Sequence, residues 1–524
     1  MNSKNSASKS KFGRFAKFEA IFTPSNHWAD RLSILALLFG LLLRLVHYTS
    51  NRSLWFDEAS IALNLSRSYP ELLSKLDYNQ AAPPLFLWAE KFAVQIFGDN
   101  EYALRLFPLI AGLASVVLFY QLAKRLTTGW TTPIAIALFS SLENIAYFSS
   151  ELKPYGLDAT LAILVCLILS RLDHCRLTVA TVLLVSLTGA LGIWLSFPSI
   201  FVLASLELFN LIKLKVWTLP ASQKRQMLAG RLPIYATWLI SFAVLYGLIV
   251  RQALDNDSLV DSWAVRYPES PLDILWLLDS LGRFFYKPLG FVGVTDAIAM
   301  VAFVSGCVFL YRRSRPTLGL LNAPLLLTLV AAYLHQYPFR DRLLLFLAPF
   351  ALLIVAEGIA GWLRCRRFYW KGLGVMMLGA LVAFPLSTSV GHLLMPSRLH
   401  FDHVRPVVQC MRTQWQPGDQ LYLFPEAQRQ FDYYGPKYGF SLADYTVLPV
   451  PHSLARRLPD EVRSQYQQAL PPFLTGQPRV WLLLAYRRPK AEATTLETID
   501  QMAPLLERCR QPGAVASLYD FSSP

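Results

Sequence analysis

The chain has 524 residues, of which 54% are hydrophobic and 16% charged, whereas a soluble protein carries about 25% charge. That balance excludes a soluble multi-domain enzyme, a disordered or collagen-like chain and a disulfide-dense secreted module. The net charge of +14 would suggest nucleic acid as a partner in a soluble protein, but in an apolar chain it must first be divided by membrane side.

Residues 1–31 are polar and basic and read as a cytoplasmic tail. The apolar run Leu32–Tyr48 is longer and lies deeper than the core of a secretory signal and lacks a small-residue cleavage site, so it is expected to stay as a first membrane helix. Further apolar runs centre near residues 104–123, 132–148, 156–170, 177–194, 198–212, 233–250, 296–311, 318–335, 343–362 and 373–394. The whole set predicts about eleven spans. Eleven crossings from an inside N-terminus put residues 1–31, 124–131, 171–176, 213–232, 312–317 and 363–372 in the cytoplasm. These segments hold 22 Lys and Arg against three acids, as expected where basic residues accumulate on the cytoplasmic side. The positive charge is therefore a topology signal, and nucleic acid is not needed to explain it.

The outside then receives a first loop (49–102), a middle loop (251–295) and residues 396–524, with 32–395 as the membrane domain. The C-terminal unit is expected to be a small α/β domain. Its strands are predicted at Leu421–Phe424, Tyr445–Val450, Arg479–Ala485 and Val515–Phe521, alternating with helices near 402–414, 455–469 and 492–508. Cys166 and Cys307 fall in spans and Cys175 and Cys365 inside. Only Cys410 and Cys509 fall outside, where disulfides persist. A bridge between them and a pair of buried thiols are both open. No Cys/His set has the spacing of a metal site.

Ionisable residues at a membrane face are costly unless they are paired or used, and four clusters on the outer side stand out. In Trp55-Phe56-Asp57-Glu58-Ala59 a carboxylate pair follows two aromatics. It can supply a general base or a ligand for a divalent ion, or simply place acids at a helix N-terminus. In the segment from Asp77 to Phe86, Asp77, Asn79 and Gln80 precede Pro83-Pro84, which suits a ligand-facing loop or a helix-entry turn. Ser149-Ser150-Glu151-Leu152-Lys153-Pro154-Tyr155 packs an acid, a base and a Tyr into a very short loop. Lys153 there can neutralise a phosphate as a point charge or pair locally with Glu151. His335 to Arg342 carries Arg340 and Arg342, which can hold phosphate oxygens bidentately or snorkel at a helix end. There is no phosphate-binding glycine loop, no nucleophile elbow and no HExxH motif.

In their order and membrane side these segments resemble the GT-C superfamily of membrane glycosyltransferases. Within it they are most similar to the bacterial family 39 branch, related to protein O-mannosyltransferases and aminoarabinose transferases. The resemblance rests on Trp55-Phe56-Asp57-Glu58-Ala59, on Pro83-Pro84-Leu85-Phe86 with the run from Phe97 to Arg105, on Tyr147 to Tyr155, and on the Arg340 region before Pro349. In the C-terminal unit it rests on Tyr433-Tyr434 and Leu518-Tyr519-Asp520-Phe521. It implies a polytopic α-helical GT-C fold with a small C-terminal α/β extracytoplasmic domain, in a bacterial plasma membrane. It also implies transfer of a hexose or pentose, with inversion, from a polyprenyl-phosphate carrier to a glycan, lipid or protein acceptor on the outer face.

In that scheme Asp57 is the base, Glu58 its neighbour and Glu151 a second acid. Lys153, Arg340 and Arg342 hold the carrier phosphate, and Asp77, Gln80, Tyr155 and His335 are candidates for substrate contact. Relatives often place a His or a Glu-Lys pair before the Pro-Pro-Leu segment. Here Gln80-Ala81-Ala82 stand there, so a divalent metal fits the chemistry but is not required by the sequence. A lipid-linked sugar flippase or a non-catalytic envelope scaffold would also use outer-face charges. A transporter, however, is expected to carry midplane charges and a repeated half, and neither occurs in this sequence.

Overall fold

All eleven apolar runs are helical, the conformation in which a chain crossing hydrocarbon satisfies its own backbone. The structure, a computed structural model, describes residues 27–171, 177–254, 266–441, 444–450, 464, 468–485 and 489–522. The tail up to residue 26, the loop containing Cys175 and most of the helix expected near 455–469 lie outside the described residues.

In chain order the membrane helices begin with α1 (His27–Thr49), which starts five residues before the apolar run with Asp30 in its first turn. Two helices of the loop over residues 49–102 follow, α2 (Phe56–Asn64) and α3 (Pro84–Phe97). Then come α4 (Leu106–Leu126), α5 (Thr131–Ser141), α6 (Tyr155–Leu169), α7 (Val179–Leu195), α8 (Ser199–Lys213) and α9 (Ala221–Leu245). The middle loop contributes the amphipathic α10 (Ile274–Tyr286). The bundle ends with α11 (Val294–Arg313), α12 (Arg315–Tyr333), α13 (Ala348–Leu363), α14 (Phe368–Leu378) and α15 (Phe384–Leu394).

Among the described residues seven helices are long and apolar enough to cross a membrane. The number is eight if the segments Glu143–Ser150 and Tyr155–Leu169 form one span bent by 106°. The remaining helices α5, α7 and α8 are 11 to 17 residues long. The bend at 150–155 falls on the polar Ser149–Pro154 segment, where Pro154 ends one helical direction and caps the next.

Helix α13 is the axis of the bundle, with Ala348 to Gly361 buried throughout. It meets α11 at backbone distance. A Cβ on Gly358 would stand 1.9 Å from the Ala302 carbonyl oxygen, and one on Gly306 would stand 1.9 Å from that of Ile354. Small residues let membrane helices approach this closely. At the far end of α13 the buried Glu357 carboxylate accepts hydrogen bonds from Arg313, Arg364 and Thr131, tying α11, α13 and α5 together.

The C-terminal unit carries a five-stranded sheet in the order β2-β1-β3-β5-β4, made of β1 (Gln420–Leu423), β2 (Tyr445–Val447), β3 (Val480–Ala485), β4 (Leu505–Gln511) and β5 (Ala514–Tyr519). Strand β1 runs parallel to both β2 and β3, and β5 is antiparallel to β3 and β4. Helices α16 (Val404–Gln414), α17 (Gln428–Tyr434) and α18 (Pro489–Asp500) accompany it. One expectation is corrected here. The helix expected over 492–508 ends at Asp500, and 505–511 is a strand pairing with β5. Cys509 thus sits on β4, bridged to Cys410 on α16, with Cα atoms 6.0 Å apart.

The sheet unit is seated on the loop between α1 and α4. Tyr434 Oη accepts from the Leu54 N–H at 2.7 Å and lies 2.8 Å from Glu101 Oε1. Arg405 pairs with Glu101 at 2.7 Å, and the Tyr433 hydroxyl donates to Asp99 at 2.7 Å. The Tyr433-Tyr434 pair therefore docks onto the Phe97–Arg105 segment.

Candidate active site between the first loop and the bundle

The site is built on the first turn of α2. Trp55 precedes the helix, and its backbone N–H donates to Glu58 at 3.3 Å. Asp57 and Glu58 are consecutive helical residues and so point about 100° apart. Glu58 turns into the protein. It is fully buried, and its two oxygens accept from Arg105 Nε and Nη2, at 2.8 and 2.6 Å, and from the Leu152 N–H at 2.8 Å. Burial alone would raise the Glu58 carboxyl. The Arg105 and Arg52 guanidiniums and the Leu152 N–H outweigh it and hold the group below the usual carboxylate range. Arg105 also donates to the Arg52 and Ser53 carbonyls. Buried Arg52 donates to Ser150 at 2.7 Å and lies over the Tyr147 ring. Glu58, Arg105 and Arg52 thus fasten the approach to α2 onto the 149–153 turn.

Asp57 turns the other way and pairs with Arg342, whose chain segment leads into α13. The Arg342 guanidinium lies 5.4 Å from the Trp55 ring centre and 5.3 Å from that of Tyr155. Two aromatic faces therefore aim one cation at the carboxylate. Lys153, buried in the 149–155 turn, donates to Gln80 Oε1 at 2.5 Å and acts electrostatically on Asp57. Glu151 is fully buried and accepts from the Trp55 indole N–H at 2.8 Å and the Tyr147 hydroxyl at 3.2 Å. Its chemistry here is to orient Trp55. Burial pushes the Asp57 carboxyl up, but Lys153 and Arg342, with Arg429 behind them, bring it down to about 2.

The structure therefore brings Asp57, Lys153, Arg342, Gln80 and Tyr155 together, with Glu58 and Glu151 behind them as supports. Three other expected contacts lie elsewhere. Arg340 pairs with Asp279 on α10 at 2.8 Å, because it precedes a turn whose alternate residues diverge. Asp77 pairs with Arg67 and is largely solvent-facing. His335, held at φ +56°, stacks on Tyr267 and hydrogen-bonds the Pro268 carbonyl, so it ties two loops together. Among the described residues no group of three or more His, Cys, Asp or Glu is arranged to hold a metal ion.

Sequence reasoning missed Arg52, Arg105 and Arg429 as parts of this assembly. Arg105 had a signal, being a charge at the head of an apolar helix. Arg429, on α17 of the sheet unit, had none, since only the docking of that unit brings it here. Its guanidinium lies 4.0 Å from the Phe56 ring centre and 5.2 Å from that of Tyr78.

A carboxylate facing two fixed cations can bind an anion beside a proton acceptor. Comparison with known proteins bears on the fold. Residues 81–246 match the family model described as dolichyl-phosphate-mannose-protein mannosyltransferase. The archaeal oligosaccharyltransferase AglB from Archaeoglobus fulgidus, solved with an inhibitory peptide and a dolichol-phosphate, is similar over 94% of this chain and 74% of its own, at 11% identity and a TM-score of 0.50. ArnT from Cupriavidus metallidurans, solved with undecaprenyl phosphate, covers 94% of this chain and 98% of its own at 13% identity and a TM-score of 0.48. An uncharacterised protein of Aquifex aeolicus is 34% identical over 85 residues, a stretch covering 16% of this chain and 17% of that protein. At these identities the structural likeness is one of fold.

Proposed function

We propose that this multi-span chain of the GT-C superfamily transfers a sugar from a polyprenyl-phosphate carrier to an acceptor hydroxyl or amine, with inversion at the anomeric carbon. The observation that carries the reading is the Asp57 carboxylate held against Arg342 and Lys153 where the first outer loop meets the bundle. A polyprenyl donor leaves its phosphate at the bilayer surface, and a leaving phosphate that is already charged needs cations more than protonation. Arg342 and Lys153 supply them. The acceptor needs a base within hydrogen-bond reach, and Asp57 supplies that.

A carboxyl held near 2 is a poor base, so the Arg342 contact matters to the mechanism. Before the donor binds, Arg342 is bonded to Asp57. When the donor phosphate arrives, Arg342 turns to its oxygens. Asp57 then loses one cationic partner, its affinity for a proton rises, and it becomes competent. The acceptor oxygen or nitrogen forms the new bond to the anomeric carbon while the carbon–oxygen bond to the carrier phosphate breaks. The electron pair leaves with the phosphate, and the acceptor proton passes to Asp57. Trp55 and Tyr155 keep Arg342 flat, and Gln80 holds Lys153.

We place the sheet unit and this site on the extracytoplasmic face of a bacterial plasma membrane, with the N-terminus in the cytoplasm. The basic loops at the opposite end of the bundle and the Cys410–Cys509 bridge support that orientation. The transfer is tested by comparing lipid-linked sugars and envelope glycans between a deletion strain and its parent. The reading predicts that a polyprenyl-phosphate sugar accumulates while one glycan, lipid or protein loses a hexose or pentose. Unchanged pools of both would contradict it.

A further inference from the structure

Asp57 is flanked by cations on two sides, and they come from different parts of the molecule. Lys153 and Arg342 belong to the membrane bundle and stand with Trp55, Tyr155 and Gln80. Arg429 belongs to the sheet unit. It comes in over the opposite aromatic of the motif, Phe56, and donates to Ser60 Oγ at 3.2 Å, one turn further along α2. It is half-buried and forms no ion pair among the described residues, although Asp57 and Asp432 act on it electrostatically. Both of those carboxylates are engaged elsewhere, Asp57 by Arg342 and Asp432 by the Tyr445 hydroxyl. A guanidinium kept partly desolvated without a bonded carboxylate is costly unless an anion completes it.

The loop between the two sets of cations carries a second sign of use. Tyr78 and Asn79 are consecutive non-glycine residues in the left-handed region, at φ +63° and +54°. Such conformations are costly and gather at functional sites. Here the strained pair sends the Tyr78 ring to Arg429 and, two residues on, the Gln80 amide oxygen to Lys153. One short loop therefore fixes the spacing between the bundle's cation and the sheet unit's cation, with Asp57 between them.

We infer that Arg429 is the acceptor-side anion contact, so that the acceptor carries a phosphate or carboxylate close to the group that is glycosylated. The inference rests on the transferase reading, in which Lys153 and Arg342 are occupied by the donor phosphate. An acceptor reaching Asp57 past the sheet unit then meets Arg429 first. The guanidinium binds its anion bidentately while the aromatic faces of Phe56 and Tyr78 keep the fork in plane.

The test uses the full chain in lipid nanodiscs, with undecaprenyl phosphate as the carrier probe, glucose 6-phosphate as the acceptor-side probe and glucose as its uncharged control. With the carrier saturating, wild type should bind glucose 6-phosphate and not glucose. Arg429→Gln should weaken glucose 6-phosphate about tenfold, the size of one lost charge-assisted contact, and leave carrier affinity unchanged. Arg342→Gln should do the reverse. Arg429→Lys keeps the charge but not the bidentate fork and should bind between wild type and Arg429→Gln, which separates recognition from packing between α2 and α17. Equal binding of glucose, loss of carrier affinity in Arg429→Gln, or equal loss in the Lys and Gln variants would overturn the assignment. If wild type fails to take undecaprenyl phosphate, the transferase reading falls. The glucose 6-phosphate comparison of wild type with Arg429→Gln then still decides whether Arg429 binds an anion.

Discussion

Neighbouring carboxylates on α2 do opposite work, and their environments say which does what. Glu58 has every oxygen engaged inside the protein, and Asp57 faces Arg342 and Lys153. Removing one partner of a buried pair leaves a stranded charge, at a cost of about 3–5 kcal/mol. Glu58→Gln and Arg105→Gln should therefore both lower the melting temperature in detergent sharply, while Asp57→Asn, whose ion-pair partner Arg342 is about a third exposed, lowers it less. Equal melting temperatures in all three would contradict the division. The Asp57 environment also predicts a pH effect. Its carboxyl is depressed to about 2, so in the donor-free enzyme it is ionised throughout the neutral range and protonates only as pH falls towards that value. Arg342→Gln removes a cation and a charge-assisted hydrogen bond, which raises the carboxyl. The acid limb of kcat/KM should then move to higher pH by about one pH unit or more. A limb that stays in place would detach Arg342 from Asp57. Asp57 and Lys153 were legible in the sequence because charge crowded beside an apolar run is costly unless it is paired or used. The division between Asp57 and Glu58 was not, because two adjacent acids look alike until the helix direction is known.

At the level of elements, hydrophobic runs marked out the membrane helices, since length and apolarity are read residue by residue. The sheet was harder. The stretch Leu505-Leu506-Glu507-Arg508-Cys509-Arg510-Gln511 alternates poorly and has helix-favouring composition, yet it lies at the sheet edge and pairs only with β5. Tertiary pairing overrode local preference there. Glycine positions on α11 and α13 had meaning only once the two helices were seen in contact. A side chain at Gly358 has no room beside the Ala302 carbonyl. Gly358→Leu should therefore lower thermal stability, by about 1–3 kcal/mol or more for overpacking. Gly372, with open space around it, should tolerate the same change. Matching melting curves for the two variants would contradict the packing account.

Over the whole molecule the candidate site is a joint product of bundle, first loop and sheet unit. The share contributed by the sheet unit could not be read from a motif, because Arg429 and Asp57 are far apart in sequence and meet only through docking. The orientation of this assembly can be checked directly. Reporter fusions after Trp130, Ser222 and Arg367 should report cytoplasm, and fusions after Lys75, Ser270 and Val450 the outside. A consistent reversal would move the site to the inner face. The central claim is that Asp57 takes the acceptor proton beside a phosphate held by Arg342 and Lys153. Its most direct test is Asp57→Asn in reconstituted membranes, assayed for both sugar transfer and undecaprenyl phosphate binding. The account predicts a fall in turnover of about 100- to 10,000-fold with carrier binding retained. Near wild-type turnover would contradict it.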